Sequence, residues 1–392
     1  MHTTRLFAAL AGWAVCTYVA AAPYLPGSDQ QVLEKLPARA TEPRMRGMAE
    51  MRRALALTPR NAALAVRLVA RYQAELAAEG DPRYVGYAQA ALAPWWSDPK
   101  APLEVRVARA VLLQFNHQFA PALADLQSVV KEAPEHAQAW AWIAAISMVQ
   151  ADYATARHAC EEMEPFTSDL IAEACIASVD ATTGNAAAAV DAISTSLRDA
   201  PEAAPEERLW ALTRLAEIHE RLGQGKAAEA AFRDALATGI ADGYLQAAYA
   251  DFLLDQRRPG EVIALLKDKS RSDLLLLRLA LAGKQTKDAN LAAWSAALTA
   301  RFDAARLRGD TVHQKEEARF ALHVLGDAAR ALPLAVANFV SQREPADARL
   351  LLEAALATKR RSAAEPALVW LRSSRIESRL LRALAAQVEA LP

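Results

Sequence analysis

The chain has 392 residues, 53% of them hydrophobic, with 14 glycines, 19 prolines and a formal net charge of −1 at pH 7. Such neutrality offers no general attraction for nucleic acid or anionic lipid, and the near absence of alternating β-branched and aromatic runs leaves little from which to build strands. Alanine and leucine dominate every stretch, which predicts an all-α protein laid out as one continuous helical array.

Taken in chain order, Met1 to Arg5 make a short basic segment, and Leu6 to Ala20 an uncharged apolar run of about fifteen residues ending in the small residues of Val19-Ala20-Ala21. Residues 1–21 therefore read as a secretory signal peptide, with an uncleaved anchor as the alternative. The run is shorter than the roughly 20 apolar residues of a membrane span. Bulky Trp13 and Val15 before Cys16 do not suit a lipoprotein signal. The mature chain, starting at Ala22, is expected to be periplasmic or secreted and to carry no integral span; the apolar stretch Leu274 to Leu277 is broken by Arg278. Removing residues 1–21 takes only Arg5 from the charge balance. Residues 22–41 read as an N-terminal capping segment, in which Ser28 and Gln31 fit a capping box and predict a short helix from Asp29 to Leu36.

Residues 42–267 read as helix-turn-helix repeats. Ala54-Leu55 with Pro59 closes one helix, and Leu68-Val69 with Tyr72 opens the next. Phe119, Ala122 and Leu126 recur 34 residues on as Tyr153, Ala156 and Cys160. Around this echo, units run from Leu103 to His136 and from Ala137 to about Leu170. Others turn at Gly184-Asn185, at Leu222-Gly223-Gln224 and at Arg257 to Gly260. In residues 268–392 the pattern loosens. Asp288 to Arg308 predicts one long helix ended by Gly309-Asp310, Leu325-Gly326-Asp327 marks a turn, Pro345 starts another pair, and a capping helix is expected within Ile376 to Leu391. This part reads as diverged repeats, with a separate helical domain as the alternative.

The unit from Ala137, with Trp140 opening the first helix, Ile143-Ala144 behind it, Asp152-Tyr153 at the turn and Ala156 and Cys160 on the second helix, resembles the tetratricopeptide repeat family. The resemblance implies a right-handed α-solenoid whose first helices line a concave, protein-binding wall. Carried over place by place, the family's groove positions fall at Trp210, Glu217, Glu220 and Arg221, then at Tyr244, Asp251 and Asp255. In earlier units they include Phe115 and Met148. The first group makes an acidic strip flanked by two aromatics, which suits a protein or peptide partner with a basic or amphipathic segment; the second group is apolar. At these spacings the charges could equally be a solvated helix face.

In that architecture Cys160 and Cys175 lie on packed neighbouring helices, so a disulfide is geometrically allowed, two buried thiols being the alternative. The histidines are scattered singly, and His158 with Cys160 points to different sides of a helix, so no metal site is expected. No nucleophile elbow, phosphate-binding glycine loop or His-Glu-x-x-His motif occurs, so neither catalysis nor a cofactor is expected. The expected function is that of a non-enzymatic exported binding scaffold, in a role such as envelope assembly or secretion. A structural spacer with no peptide groove and a helical-superhelix enzyme acting on peptidoglycan are the alternatives.

Overall fold

The computed structural model describes residues 43–392, so the signal segment, the capping segment 22–41 and the helix expected at Asp29 to Leu36 lie outside the described residues. Helix α1 (Pro43–Leu57) crosses the boundary at Ala49 between two compact units, and residues 50–392 form the larger one. In that unit, helices follow one another as antiparallel pairs: α2 (Ala62–Glu79) with α3 (Arg83–Ala91), α4 (Leu103–Phe115) with α5 (Phe119–Glu132), and α6 (Ala137–Val149) with α7 (Tyr153–Met163). Then come α8 (Asp169–Thr182) with α9 (Ala186–Asp199), α10 (Pro205–Arg221) with α11 (Gly225–Ala237), and α12 (Gly243–Asp255) with α13 (Pro259–Leu266). The diverged part continues the scheme with α14 (Asp273–Thr286) and α15 (Leu291–Leu307), α16 (Gln314–Phe320) and α17 (Ala328–Ser341), α18 (Pro345–Thr358) and α19 (Glu365–Ser374), capped by α20 (Arg379–Glu389). No strand occurs among the described residues.

One local device builds most of the turns inside these pairs. The first helix ends in a residue of left-handed backbone: His117, Ala151, Gly184, Gly223 and Arg257 all have positive φ. The next residue's N–H then reaches back five places, as in Gln118 to the Leu113 carbonyl (2.9 Å), Asp152 to Ser147 (2.8 Å), Asn185 to Asp180 (3.0 Å), Gln224 to His219 (2.9 Å) and Arg258 to Leu253 (2.9 Å). This closes the last free carbonyls of the helix and reverses the chain in two or three residues. The expected long helix begins later than Asp288. Its first residues form such a turn instead, with the Asp288 N–H bonded to the Gly283 carbonyl (3.0 Å) and the Asn290 N–H to the Asp288 carboxylate (2.7 Å).

Packing follows the repeat. Ala122, Ala156, Ala189 and Ala228 are almost fully buried, which lets the paired helices approach closely. One turn further, Leu126, Cys160, Ile193 and Phe232 fill the space between pairs and are fully buried. Cys160 on α7 is bonded to Cys175 on α8, with Cα atoms 5.7 Å apart, so the bridge rather than the pair of thiols is what the fold contains.

Repeats five to six places apart also touch. Near one end, a Cβ placed on Gly243 at the start of α12 would lie 2.9 Å from the Ala77 carbonyl of α2. Further along, the Arg343 N–H donates to the Val149 carbonyl (2.8 Å), the Trp370 indole N–H to the Tyr153 hydroxyl (2.8 Å), and the Ala186 N–H to the Glu377 carboxylate (2.6 Å). Gly184 faces Arg375 and Gly223 faces Arg379. Within residues 50–392 the array is therefore wound tightly enough for its C-terminal third to fold back over the turns of α6/α7, α8/α9 and α10/α11. A single α-helical coil enclosing its own inner wall results.

Candidate functional site

The inner wall encloses a cavity of about 620 Å³. On α10, Arg214, Glu217, Glu220 and Arg221 recur at three- and four-residue steps and so share one face; Tyr244, Asp251 and Asp255, at steps of seven and four, share one on α12. Facing them are Lys315 and Arg319 of α16 and Arg349 and Glu353 of α18. Each pair is four residues apart and projects from the same side of its helix.

The acidic strip is already neutralised from within. Asp251 accepts from Arg278 (2.6 and 3.1 Å) and from Arg319 (2.7 and 2.9 Å). Burial alone would raise its carboxyl, but the two guanidiniums hold it well below the usual carboxylate range. Asp255 receives a two-pronged bond from Arg349 (2.6 and 2.8 Å), which also donates to Glu353 (2.8 Å). Burial opposes ionisation of Glu353, yet His323 at 2.8 Å and Arg349 bring it down to about 2. Glu217 pairs with Arg214 (3.1 Å) and accepts from the Tyr244 hydroxyl, while the Arg214 guanidinium stacks 4.9 Å from the Tyr244 ring centre. Tyr244 keeps 49% of its surface open, but that surface faces the cavity.

Two α10 groups stand apart from this network. Glu220 has no hydrogen-bond or ion-pair partner among the described residues; burial, and then the carboxylates of Asp255, Asp251 and Glu217, push it up to about 8. Arg221 is likewise without a partner, and burial pushes its guanidinium down from its ordinary value. At the same end lie Arg343 and Arg379, whose side chains also have no acceptor among the described residues, together with Tyr153, Met148 and Leu380.

Of the groove residues expected from the sequence, Met148, Glu217, Glu220, Arg221, Tyr244, Asp251 and Asp255 meet in this one cavity. Phe115 and Trp210 do not line it. Trp210 packs between the hydrophobic clusters of the neighbouring repeats, so its role is corrected from groove aromatic to interface filler. The acidic landing strip for a basic partner is corrected too: Arg278, Arg319 and Arg349 of the same chain occupy Asp251 and Asp255. Sequence reasoning missed that entire opposing wall, although Ala346, Arg349 and Glu353 fall at the second, fifth and ninth places counted from Pro345, the groove places used upstream.

Among the described residues no group of three or more side chains is placed to hold a metal ion, and no helix is long and apolar enough to cross a membrane. No protein-family model matches the chain, and no curated protein matches it. Among solved structures it is similar to the crystal structure of the P58(IPK) TPR domain, at 13% identity over 88% of this chain and 97% of that one, with a TM-score of 0.22. By the geometry of its own repeats, the chain is an all-α solenoid of tetratricopeptide-like helix-turn-helix units.

Proposed function

We propose that this chain is an exported, non-enzymatic scaffold that receives a segment of a protein partner against the inner wall of its coil. The observation that carries the reading is the partly unpaired charge of the cavity. A spacer would close its centre with apolar side chains or self-sufficient ion pairs, whereas here the Arg221 guanidinium and the Glu220 carboxyl line the cavity with no hydrogen-bond or ion-pair partner among the described residues. Export is supported by the pattern of residues 1–21 and by the Cys160–Cys175 bridge, which suits an oxidising compartment. The paired state of Asp251 and Asp255 turns the preferred partner away from a basic segment and toward one with apolar and acidic groups.

The test is site-specific photo-crosslinking in intact cells, with the reactive side chain at Met148 or Leu380 in the cavity and at Arg198 on an exposed face of α9. The reading calls for a defined polypeptide attached from both cavity positions and not from Arg198. Cavity positions that yield no adduct beyond the Arg198 background would remove it.

A further inference from the structure

One end of the cavity has a chemistry of its own. Arg221 closes α10, Arg379 opens α20, and Arg343 lies in the link just before α18, so two helix ends and one link bring guanidiniums to one place. Their convergence is fixed by the backbone. The Arg343 N–H is bonded to Val149 (2.8 Å), and Gly223, two residues past Arg221, faces the Arg379 side chain, whose Nη1 would lie 3.0 Å from a Cβ at that glycine. Arg221 and Arg343 are both near enough to Tyr153 to bear on its ionisation.

None of the three has a carboxylate to answer it. Glu217 and Glu220 bear on Arg221 electrostatically without pairing with it; Glu217 is held by Arg214 and Tyr244, burial pushes Glu220 toward its neutral form, and Glu344 is engaged by Lys315 (3.8 Å) and by capping the start of α18. The Tyr153 hydroxyl already accepts the Trp370 indole N–H, so its own hydrogen is left to donate. Burial pushes that phenol up to about 12, which keeps the hydrogen in place at neutral pH. A buried guanidinium elsewhere shows the contrast: Arg109 binds both oxygens of Asp125 and the carbonyls of Trp95, Trp96 and Asp98.

We propose that Arg221, Arg343, Arg379 and the Tyr153 hydroxyl form a receptor for an oxyanion, carboxylate or phosphate, borne by the partner segment, whose apolar part rests on Met148 and Leu380. Forked guanidiniums and a hydroxyl donor match the lone pairs of a two- or three-oxygen anion better than they match a monatomic one. A cavity of about 620 Å³ is of the size that holds a few side chains of an extended segment rather than a folded domain. The site rests on the reading that the inner wall is a binding surface, and it adds to that reading a ligand class.

Isothermal titration and thermal unfolding of the full chain, at fixed ionic strength, would use citrate and inorganic phosphate as probes and chloride as the monatomic control. Citrate or phosphate, and not chloride, should bind at one site and raise the unfolding temperature. Arg221→Gln and Arg343→Gln should each weaken binding by about tenfold or more, with Arg198→Gln unchanged. Because each removes an unanswered charge, neither should lower the unfolding temperature of the free protein, so loss of binding is separable from loss of fold. Citrate binding without phosphate binding assigns a carboxylate ligand, and the converse a phosphate. No saturable binding of either, or binding equally retained by both variants, overturns the site. If that happens while Met148 and Leu380 still capture a polypeptide, only the oxyanion receptor falls; if both fail, the scaffold reading falls with it.

Discussion

Replacing Asp251 by asparagine removes one charge from the centre of the inner wall and leaves its shape. In the native chain, Asp251 accepts four N–H bonds of 2.6 to 3.1 Å from Arg278 and Arg319. The three side chains are only 23%, 10% and 20% exposed. Breaking a buried ion pair by removing one partner costs about 3–5 kcal/mol, because the remaining charge is left desolvated. Asparagine keeps one acceptor oxygen and the cavity gives some access to water, which lowers the expectation to about 2–4 kcal/mol. Urea unfolding followed by far-UV circular dichroism at pH 7 measures it, and Asp251→Asn combined with Arg319→Gln should lose clearly less than the sum of the single variants. The pH dependence has a definite sign. A carboxyl held below its ordinary value contributes stability above the unfolded value, about 4, and loses it as the pH falls through the folded value. The penalty of Asp251→Asn should therefore be full at pH 7 and shrink in acid. A loss below about 0.5 kcal/mol at pH 7, the level of an ordinary surface substitution, would refute the view that these pairs lock α12 to α14 and α16.

Glu220 should behave in the opposite sense. Between its unfolded value and about 8 the folded chain holds a proton that the unfolded chain has released, so stability should fall with rising pH, by some fraction of about 1.4 kcal/mol per pH unit, and Glu220→Gln should flatten that slope. A slope unchanged in the variant assigns it to another group. Gly243→Ala should cost about 1–3 kcal/mol by overpacking against the Ala77 carbonyl, whereas Gly260→Ala, with nothing within 4 Å, should be neutral or mildly stabilising. Equal effects in thermal unfolding would deny that α2 and α12 touch. Replacing both Cys160 and Cys175 by serine should cost on the order of 3 kcal/mol, given the 15-residue separation. Thiol counting on denatured, unreduced protein should find neither sulfur free, and two free thiols would contradict the bridge.

The repeat register was legible in the sequence because it is local: Phe119-Ala122-Leu126 and Tyr153-Ala156-Cys160 state it directly, Pro345 and Gly326 mark boundaries by their backbone preferences, and Cys160 and Cys175 fall on helices that pack in sequence order. Register also placed the turns beside His117, Ala151 and at Arg257, but their left-handed backbone was hidden, since none of the three is a glycine. Trp210 and Phe115 show a second limit. Register places a side chain on a helix face, but whether a neighbour covers that face depends on the angle between pairs. The enclosed wall is the same difficulty at larger scale. Contacts such as Arg343 with Val149 arise only after five or six small rotations have added up, and no stretch of sequence encodes that sum locally. Arg349 and Glu353 were nonetheless readable, since they keep the groove spacing counted from Pro345 in a region where the other repeat signals fade.

The central claim is that the coil encloses its inner wall, so that the acidic strip answers to the chain's own arginines and the open chemistry is basic. A distance across that closure tests it most directly: nitroxide labels at Gln150 and Ser341, next to the hydrogen-bonded pair Val149 and Arg343, measured by double electron–electron resonance in solution. A closed coil should give one narrow distribution centred at or below about 20 Å, the reach set by a few backbone steps and two label tethers. A broad distribution, or one centred beyond about 40 Å, would mean an open solenoid with a free acidic groove and would contradict the account.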